Sequence, residues 1–383
     1  MQFECSKFIY DGMAGIITTL VSDYEINILC KVIDLEAMDE ELTSLSQSGI
    51  KVDNIAVSDR ASITFPFHRI EDELEEERLG NQAYGSTKRG IAYAYGERYL
   101  KKSILIGELL YPDDLERRLK ELVDWKNLII KDFYHREDKV VSFEEALEWT
   151  RKYSEKIKPY ITDVTQLLEN GASNGKKILF EAQLGSLRDI YYGIYPFTTS
   201  SCALAAFAPI GGGLLTQKDY HVTGVMKAFS TCVGAGPFVT EISGEEADNL
   251  REIAFEYGAS TGRPRRIGHF DAVASRYGAQ VQGVNDIAIT KLDSLSGREK
   301  LYICTAYDVD GKKYNNFPLN PVLDKAKPDY IEMDGWSEDI TGCRKFEELP
   351  DTAQNYVNKI EELVGYNIKF ISVGPERESL IIK

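Results

Sequence analysis

Arginine is the residue type that first suggests chemistry in this chain. Within GASTGRPRRIG, residues 258–268, Arg263, Arg265 and Arg266 follow Ser260 and Thr261, with Gly258 and Gly262 beside them. Guanidinium groups this close repel one another, so an anion or a set of carboxylates has to face them. Their bidentate forks match carboxylates, the hydroxyls add short donors, and the glycines let the backbone approach a ligand. A small dicarboxylate is the ligand that fits best. An internal ion-pair cluster with the chain's own acids accounts for the arginines equally well when they are taken alone.

ITKLD is the second candidate. Lys291 and Asp293 leave the carboxyl end of a predicted strand, where open α/β sheets place their ligands. An aspartate there can accept two parallel hydrogen bonds from the N1–H and exocyclic amine of guanine while the lysine stem lies along the base. This is the [N/T]-K-x-D pattern of guanine-nucleotide proteins; a strand-end ion pair is the plain alternative. GASNGK, 171–176, is one residue short of a phosphate loop and precedes a strand, so it reads as a turn. VGAGPF (233–238) and APIGGG (208–213) have glycines enough for backbone amides to approach a ligand, or simply for tight turns. GSTKRG (85–90) and YPFTTSS (195–201) set hydroxyls beside a glycine or proline turn, a layout suited to phosphate oxygens and equally to helix caps.

The elements that must hold these segments alternate in type. Residues 113–126 carry Leu115, Leu119, Leu122 and Val123 at helical spacing, and Ser142 answered by Glu145 predicts a capped helix from 142. KKILFEA (176–182), DIAITKLD (286–293), LYICTAY and NIKFISV are short apolar, β-branched runs of the kind found in buried sheets. Between the last two, Pro350 starts and Gly365 stops a further helix. Strand and helix in alternation predict an α/β fold, one large domain with a central, mostly parallel sheet flanked by helices. The charge-rich run RIEDELEEER, 69–78, reads as a solvated helix face without a function.

Composition narrows the partners. With 61 acidic against 45 basic residues and a net charge of -16, the chain lacks the broad cationic face that nucleic acid or an anionic membrane requires. No apolar run is long enough for a membrane helix and the N-terminus lacks a signal-peptide layout, which predicts a cytoplasmic protein. Six scattered cysteines suit reduced, mostly buried thiols, and four histidines without paired spacing give no support to a histidine metal site.

Taken in order, GSTKRGIAYAY, LFEAQLGSLRDIYYGIYPFTTSS, VGAGPFVTE, YGASTGRPRRIGHFD, TKLD, GWSEDI and SVGPER resemble the adenylosuccinate synthetase family from about residue 85 to residue 377. The resemblance implies a ligase that joins L-aspartate to IMP with GTP hydrolysis, on a fold like that of the P-loop NTPases, with residues 1–383 as one domain. It implies aspartate contacts from Ser260, Thr261, Arg263 and Arg265, and GTP contacts from Arg265, Lys291, Asp293, Ser372 and Gly374. Thr87, Lys101, Gln183, Leu184, Thr199 and Val233 would line the IMP site. Mg2+ bridging the phosphates and a homodimer are further implications.

The chain also departs from the family. The family's G-D-E-G-K-G-K loop, which supplies a catalytic base and a phosphate lysine, and its Gly-His pair are absent from residues 1–383. The resemblance therefore implies that the catalytic base and acid lie in a segment upstream of residue 1, that the metal's ligands are missing with it, and that the chain as written is close to inactive. Leu184 stands where the family has a glutamine, with Gln183 one place early. Lys101 replaces an arginine, and His269 a tryptophan. A shortened or altered ligase, a non-catalytic nucleotide-binding relative and a remnant scaffold all fit these residues.

Overall fold

The computed structural model describes residues 13–21 and 26–383 apart from 183, 217 and 259–261, with side chains from residue 32 onward. Gln183, Ser260 and Thr261 thus lie outside the described residues. The chain folds as two compact units, Met1–Leu184 with Thr199–Lys218, and Gly185–Thr198 with Asp219–Lys383.

The first unit is built on a six-stranded sheet of β1 (Met13–Val21), β2 (Ile26–Asp34), β3 (Ile55–Ser58), β4 (Ser62–Thr64), β5 (Ile161–Thr162) and β6 (Lys177–Glu181). β2 pairs in parallel with β3 and β4, and β3 with β5, whereas β1 runs antiparallel between β2 and β6. Its helices are α1 (Leu35–Gln47), α2 (Pro66–Leu79), α3 (Ile91–Tyr99), α4 (Pro112–Leu128), α5 (Phe143–Ile157), α6 (Val164–Ser173) and the short α7 (Ala208–Gly212). α4 buries Leu115, Leu119, Leu122 and Val123 as the spacing predicts. The capping box of α5 is present: Glu145 N donates to Ser142 Oγ at 3.2 Å and Ser142 N to Glu145 Oε2 at 2.8 Å. Phe65, Phe67, Leu35, Met38 and Ile157 join the same core.

Three sequence expectations need correction in this unit. β6 is half-exposed, not fully buried: Lys177, Leu179 and Glu181, alternate residues on one face, are exposed, and among the described residues the strand pairs only with β1. APIGGG forms neither an open glycine loop nor a bare turn. Residues 208–212 are α7, and Gly213 closes it in the left-handed conformation. The third correction is to the charge run. Glu71 and Asp72 of α2 are buried, and Lys126 of α4 ion-pairs with both Glu71 and Glu97 of α3. His68 completes the cluster with Nε2 2.8 Å from Glu97 and Nδ1 accepting from Phe65 N at 2.9 Å. Burial pushes His68 down in pKa and Glu71 up to about 7. A helix packed on two others buries charges that a sequence window reads as solvated. The turn expected at GASNGK is confined to Asn174 and Gly175, since residues 171–173 are the end of α6.

The second unit centres on a sheet in the order β17 (Leu380–Ile382), β16 (Ile368–Ser372), β12 (Asp286–Thr290), β7 (Thr223–Lys227), with β7, β12 and β16 parallel. Ile287, Ile289 and Ile371 fill the core together with Val357 and Ile360 of α11 (Asp351–Val364), which ends at Gly365 as predicted. A three-stranded antiparallel sheet holds β8 (Ser230–Cys232), β10 (Arg266–Gly268) and β9 (Glu241–Ile242). A last sheet groups β11 (Phe270–Asp271), β13 (Lys300–Val309), β14 (Lys312–Tyr314) and β15 (Lys327–Asp334). α8 (Glu245–Ile253), α9 (Ala272–Gln282) and α10 (Asn320–Leu323) complete the unit. The α/β class expected from the alternation of elements is the one observed.

Of the described cysteines, Cys304 is buried, Cys202, Cys232 and Cys343 are half-buried, and none is exposed. Among the described residues no helix is long and apolar enough to cross a membrane.

Candidate functional site

The parallel pairing of β12 with β16 decides the first cluster. Ile289 lies opposite Ile371, so the two parallel strands finish at the same end of the sheet, and the segment with Lys291 and Asp293 and the segment with Ser372 and Gly374 both leave from that end. Two segments 80 positions apart in sequence thereby share one strand-terminal corner. Lys291 has φ 63, a left-handed conformation in which a lysine is strained, and its Nζ donates to Ala254 O at 2.9 Å. Asp293 is half-buried, and desolvation raises its pKa against the pull of Lys291. Ser372 Oγ donates to Gly374 O at 2.9 Å, turning the chain sharply after β16.

The arginine loop is a closed hairpin. Gly258 N donates to Arg263 O, Gly262 N to Gly258 O, and Tyr257 pairs with Pro264, with Gly262 at φ 61. Arg263 is exposed on the returning arm of the hairpin, opposite Gly258. Arg265 lies 2.6 Å from the carboxylate of Glu256, which is 1 % exposed and also pairs with Lys227 at 2.6 Å. Arg266 is held bidentately by Glu241 at 2.7 and 2.5 Å. The ion-pair account is therefore correct for Arg265 and Arg266. Lys227 senses the wider cluster: burial, with the positive charges of Arg265 and Lys291, pushes its ammonium pKa down despite Glu256. The arginine hairpin and the Lys291 corner thus share one electrostatic neighbourhood.

Val233 stands on the glycine loop that follows β8. Arg188 fastens that loop, donating to Val233 O at 2.5 Å, Ala235 O at 3.3 Å and Phe197 O at 2.5 Å. A Cβ on Gly236 would come 2.7 Å from the Phe197 ring, so only glycine fits this approach.

In the first unit Thr87 is exposed on the loop 84–90, where Ser86 Oγ accepts from Lys88 N at 3.1 Å and caps a turn instead of a helix. Lys101 follows α3 at φ 63 and is exposed, Leu184 has φ 76 and is exposed, and Thr199 is half-buried. Sequence reasoning missed Glu256, Lys227 and Arg188. No local pattern marks them, since each acts through a partner distant in the chain.

The comparisons decide the lineage. A family profile described as adenylosuccinate synthetase matches residues 17–381. This chain belongs to the adenylosuccinate synthetase family. Adenylosuccinate synthetase 2 of Pseudoalteromonas translucida is 46% identical over 352 residues, 92% of this chain and 83% of that protein. The adenylosuccinate synthetase of Caldanaerobacter subterraneus is 44% identical over 354 residues, 92% and 82% of the two chains. The fully ligated adenylosuccinate synthetase structure from Plasmodium falciparum superposes with a TM-score of 0.87 at 32% identity, covering 94% of this chain and 86% of that one. Adenylosuccinate synthetases are GTP-dependent ligases of purine biosynthesis, and this is the enzyme class of the chain.

An adenylosuccinate synthetase in general uses Mg2+. Among the described residues no group of three or more His, Cys, Asp or Glu side chains is arranged to hold a metal ion, so the described residues do not by themselves fit a protein-built cage. His269 sits in an aromatic setting: its ring lies 4.9 Å from that of Tyr302 and 5.3 Å from that of Tyr330.

Proposed function

We propose that this synthetase joins L-aspartate to IMP at the cost of GTP. The γ-phosphoryl group of GTP moves to the 6-oxygen of IMP, and the aspartate amine then attacks the purine carbon and expels phosphate. The observation that best supports this reading is the shared end of the parallel strands β12 and β16, from which the segments carrying Lys291 and Asp293 and carrying Ser372 and Gly374 both leave. Asp293 would accept from the N1–H and amine of guanine, with the Lys291 stem along the base. Arg263 and Arg265, with Ser260 and Thr261, would hold the carboxylates of aspartate and so orient its amine for attack, a positioning role that lowers the barrier without acid–base chemistry. Arg265 would serve GTP as well. Thr87, Lys101, Gln183, Leu184, Thr199 and Val233 are the proposed contacts to IMP. Mg2+, when bound, would neutralise charge on the phosphates. No residue of the chain is assigned as base or acid. The two compact units acting as one catalytic domain, a homodimer and a cytoplasmic location complete the proposal.

Calorimetry with GDP, IMP and succinate tests the binding roles, and the ultraviolet absorbance of product from IMP, GTP, aspartate and Mg2+ tests turnover. Binding of GDP and succinate is expected; failure of both overturns the reading. Arg263→Ala is expected to weaken succinate on the order of tenfold or more and leave GDP unchanged. Equal loss of both would make the loop a structural element.

A further inference from the structure

Apart from the Ser86–Lys88 turn, the loop 84–90 is held by residues outside it. Tyr84 N donates to Glu76 Oε1 at 3.0 Å, and Gly85 N and Ser86 N donate to Glu76 Oε2 at 2.9 and 3.0 Å. Gly90 N donates to Asp72 Oδ2 at 2.9 Å, and Ser86 also hydrogen-bonds Asp72. Asp72 and Glu76 are one turn apart on α2 and present their carboxylates to the same side. Three consecutive amides converging on one carboxylate form a backbone concavity of the kind that otherwise cradles a phosphate. Here the protein's own anion fills it.

The far end of the loop is fixed as closely. A Cβ on Gly90 would come 2.6 Å from the backbone carbon of His68 on α2, so this end lies directly on the helix. Gly85, Lys88 and Gly90 have φ of 77, 59 and 73, and repeated left-handed turns of this kind hold their shape only when outside contacts impose it. With the amides of residues 84, 85, 86, 88 and 90 engaged, the loop presents outward the exposed hydroxyl of Thr87 and the exposed ammonium of Lys88.

We infer that Glu76, seconded by Asp72, is a positioning residue of the synthetase: an internal anion that occupies the amide concavity of the loop and aims Thr87 and Lys88 at the phosphate of the purine monophosphate. The inference deepens the proposed function and rests on the reading of Thr87 as a phosphate contact. The carboxylate excludes phosphate from the amides and leaves it to side-chain donors, whose geometry the carboxylate itself sets.

IMP and GDP are titrated calorimetrically into the full chain and its variants. Glu76→Ala is expected to weaken IMP on the order of tenfold to a hundredfold, the effect of three lost charge-assisted hydrogen bonds, with GDP affinity unchanged. Glu76→Gln, which keeps the shape and one acceptor oxygen, is expected to fall between parent and alanine variant. Thr87→Val should weaken IMP as well. If Thr87→Val weakens IMP and Glu76→Ala does not, the positioning role is wrong. Parallel loss of IMP and GDP in Glu76→Ala would make Glu76 a folding residue and overturn the inference equally. If Thr87→Val binds IMP like the parent, the phosphate reading of the loop fails, and the inference with it.

Discussion

Arg265 Nη1 lies 2.6 Å from Glu256 Oε2, the oxygen that Lys227 Nζ also reaches at 2.6 Å. A guanidinium proposed to hold a substrate carboxylate is thus already shared with a buried carboxylate of the protein. Glu256 lowers the cost of burying two cations and competes with any incoming anion for the same donors. Glu256→Gln is therefore expected to tighten succinate by about fivefold while destabilising the fold by about 3 kcal/mol. Calorimetry reads the first effect and denaturant unfolding the second; weaker succinate binding in this variant would place the dicarboxylate elsewhere.

Asp293 should decide the choice of base. Asp293→Ala is expected to weaken GDP on the order of 100-fold, since two hydrogen bonds to a charged acceptor are lost together. Because burial raises the pKa of this carboxylate, GDP affinity of the parent should fall on acidification sooner than an ordinary aspartate would allow. Titrations of GDP and IDP across a pH series check both points: a variant that keeps its preference for GDP over IDP would contradict the assignment.

Lys126 is the hinge of the buried network in the first unit. Lys126→Met leaves Glu71 and Glu97 facing each other without a counter-charge, and a loss of about 3–5 kcal/mol is expected near neutral pH. The loss should shrink as the pH is lowered, because the Glu71 carboxyl, already raised to about 7 with Lys126 beside it, rises further without that cation and takes up a proton. Unfolding free energies of parent and variant at several pH values test this.

Asp271 gives a pH dependence of opposite sense to that of a salt-bridged carboxylate. It caps α9 by accepting from Ala274 N at 2.9 Å and receives the Tyr307 hydroxyl at 2.7 Å, yet burial raises its pKa from 3.8 to about 6. The folded chain therefore binds the proton more tightly than the unfolded one. Its ionisation cost is fully present above pH 6 and is relieved as the pH falls toward 3.8. Asp271→Asn, which keeps a capping oxygen, should gain on the parent by up to roughly 3 kcal/mol as the pH rises through this window. A pH-independent difference in unfolding free energy would mean that Asp271 does not titrate there.

Much of the scaffold was legible because its signals are local. The capping box at Ser142 and Glu145, the stop at Gly365 and the spacing of Leu115, Leu119 and Leu122 each act within a few residues, where hydrogen-bond reach and helical period dictate the outcome. The half-exposure of β6 was not legible, because it depends on whether anything packs on that face of the sheet. The candidate site divides in the same way. TKLD and the arginine hairpin announce themselves by residue type, whereas Glu256, Lys227 and the clamp of Glu76 on residues 84–86 carry no pattern at all.

Sequence alone determined the α/β class, the positions of α4, α5 and α11 and of β6, β12, β13 and β16, and the family through motifs met in order. Only the tertiary structure decided which charges neutralise one another. Glu71, Asp72 and Glu76 belong to a single acidic run, yet one is buried against Lys126 and two grip a loop, while Arg265 and Arg266 each found a different acid. The physical reason is range: propensity and capping act along the chain over a turn or two, but an ion pair forms wherever packing brings opposite charges within about 4 Å, whatever their separation in sequence.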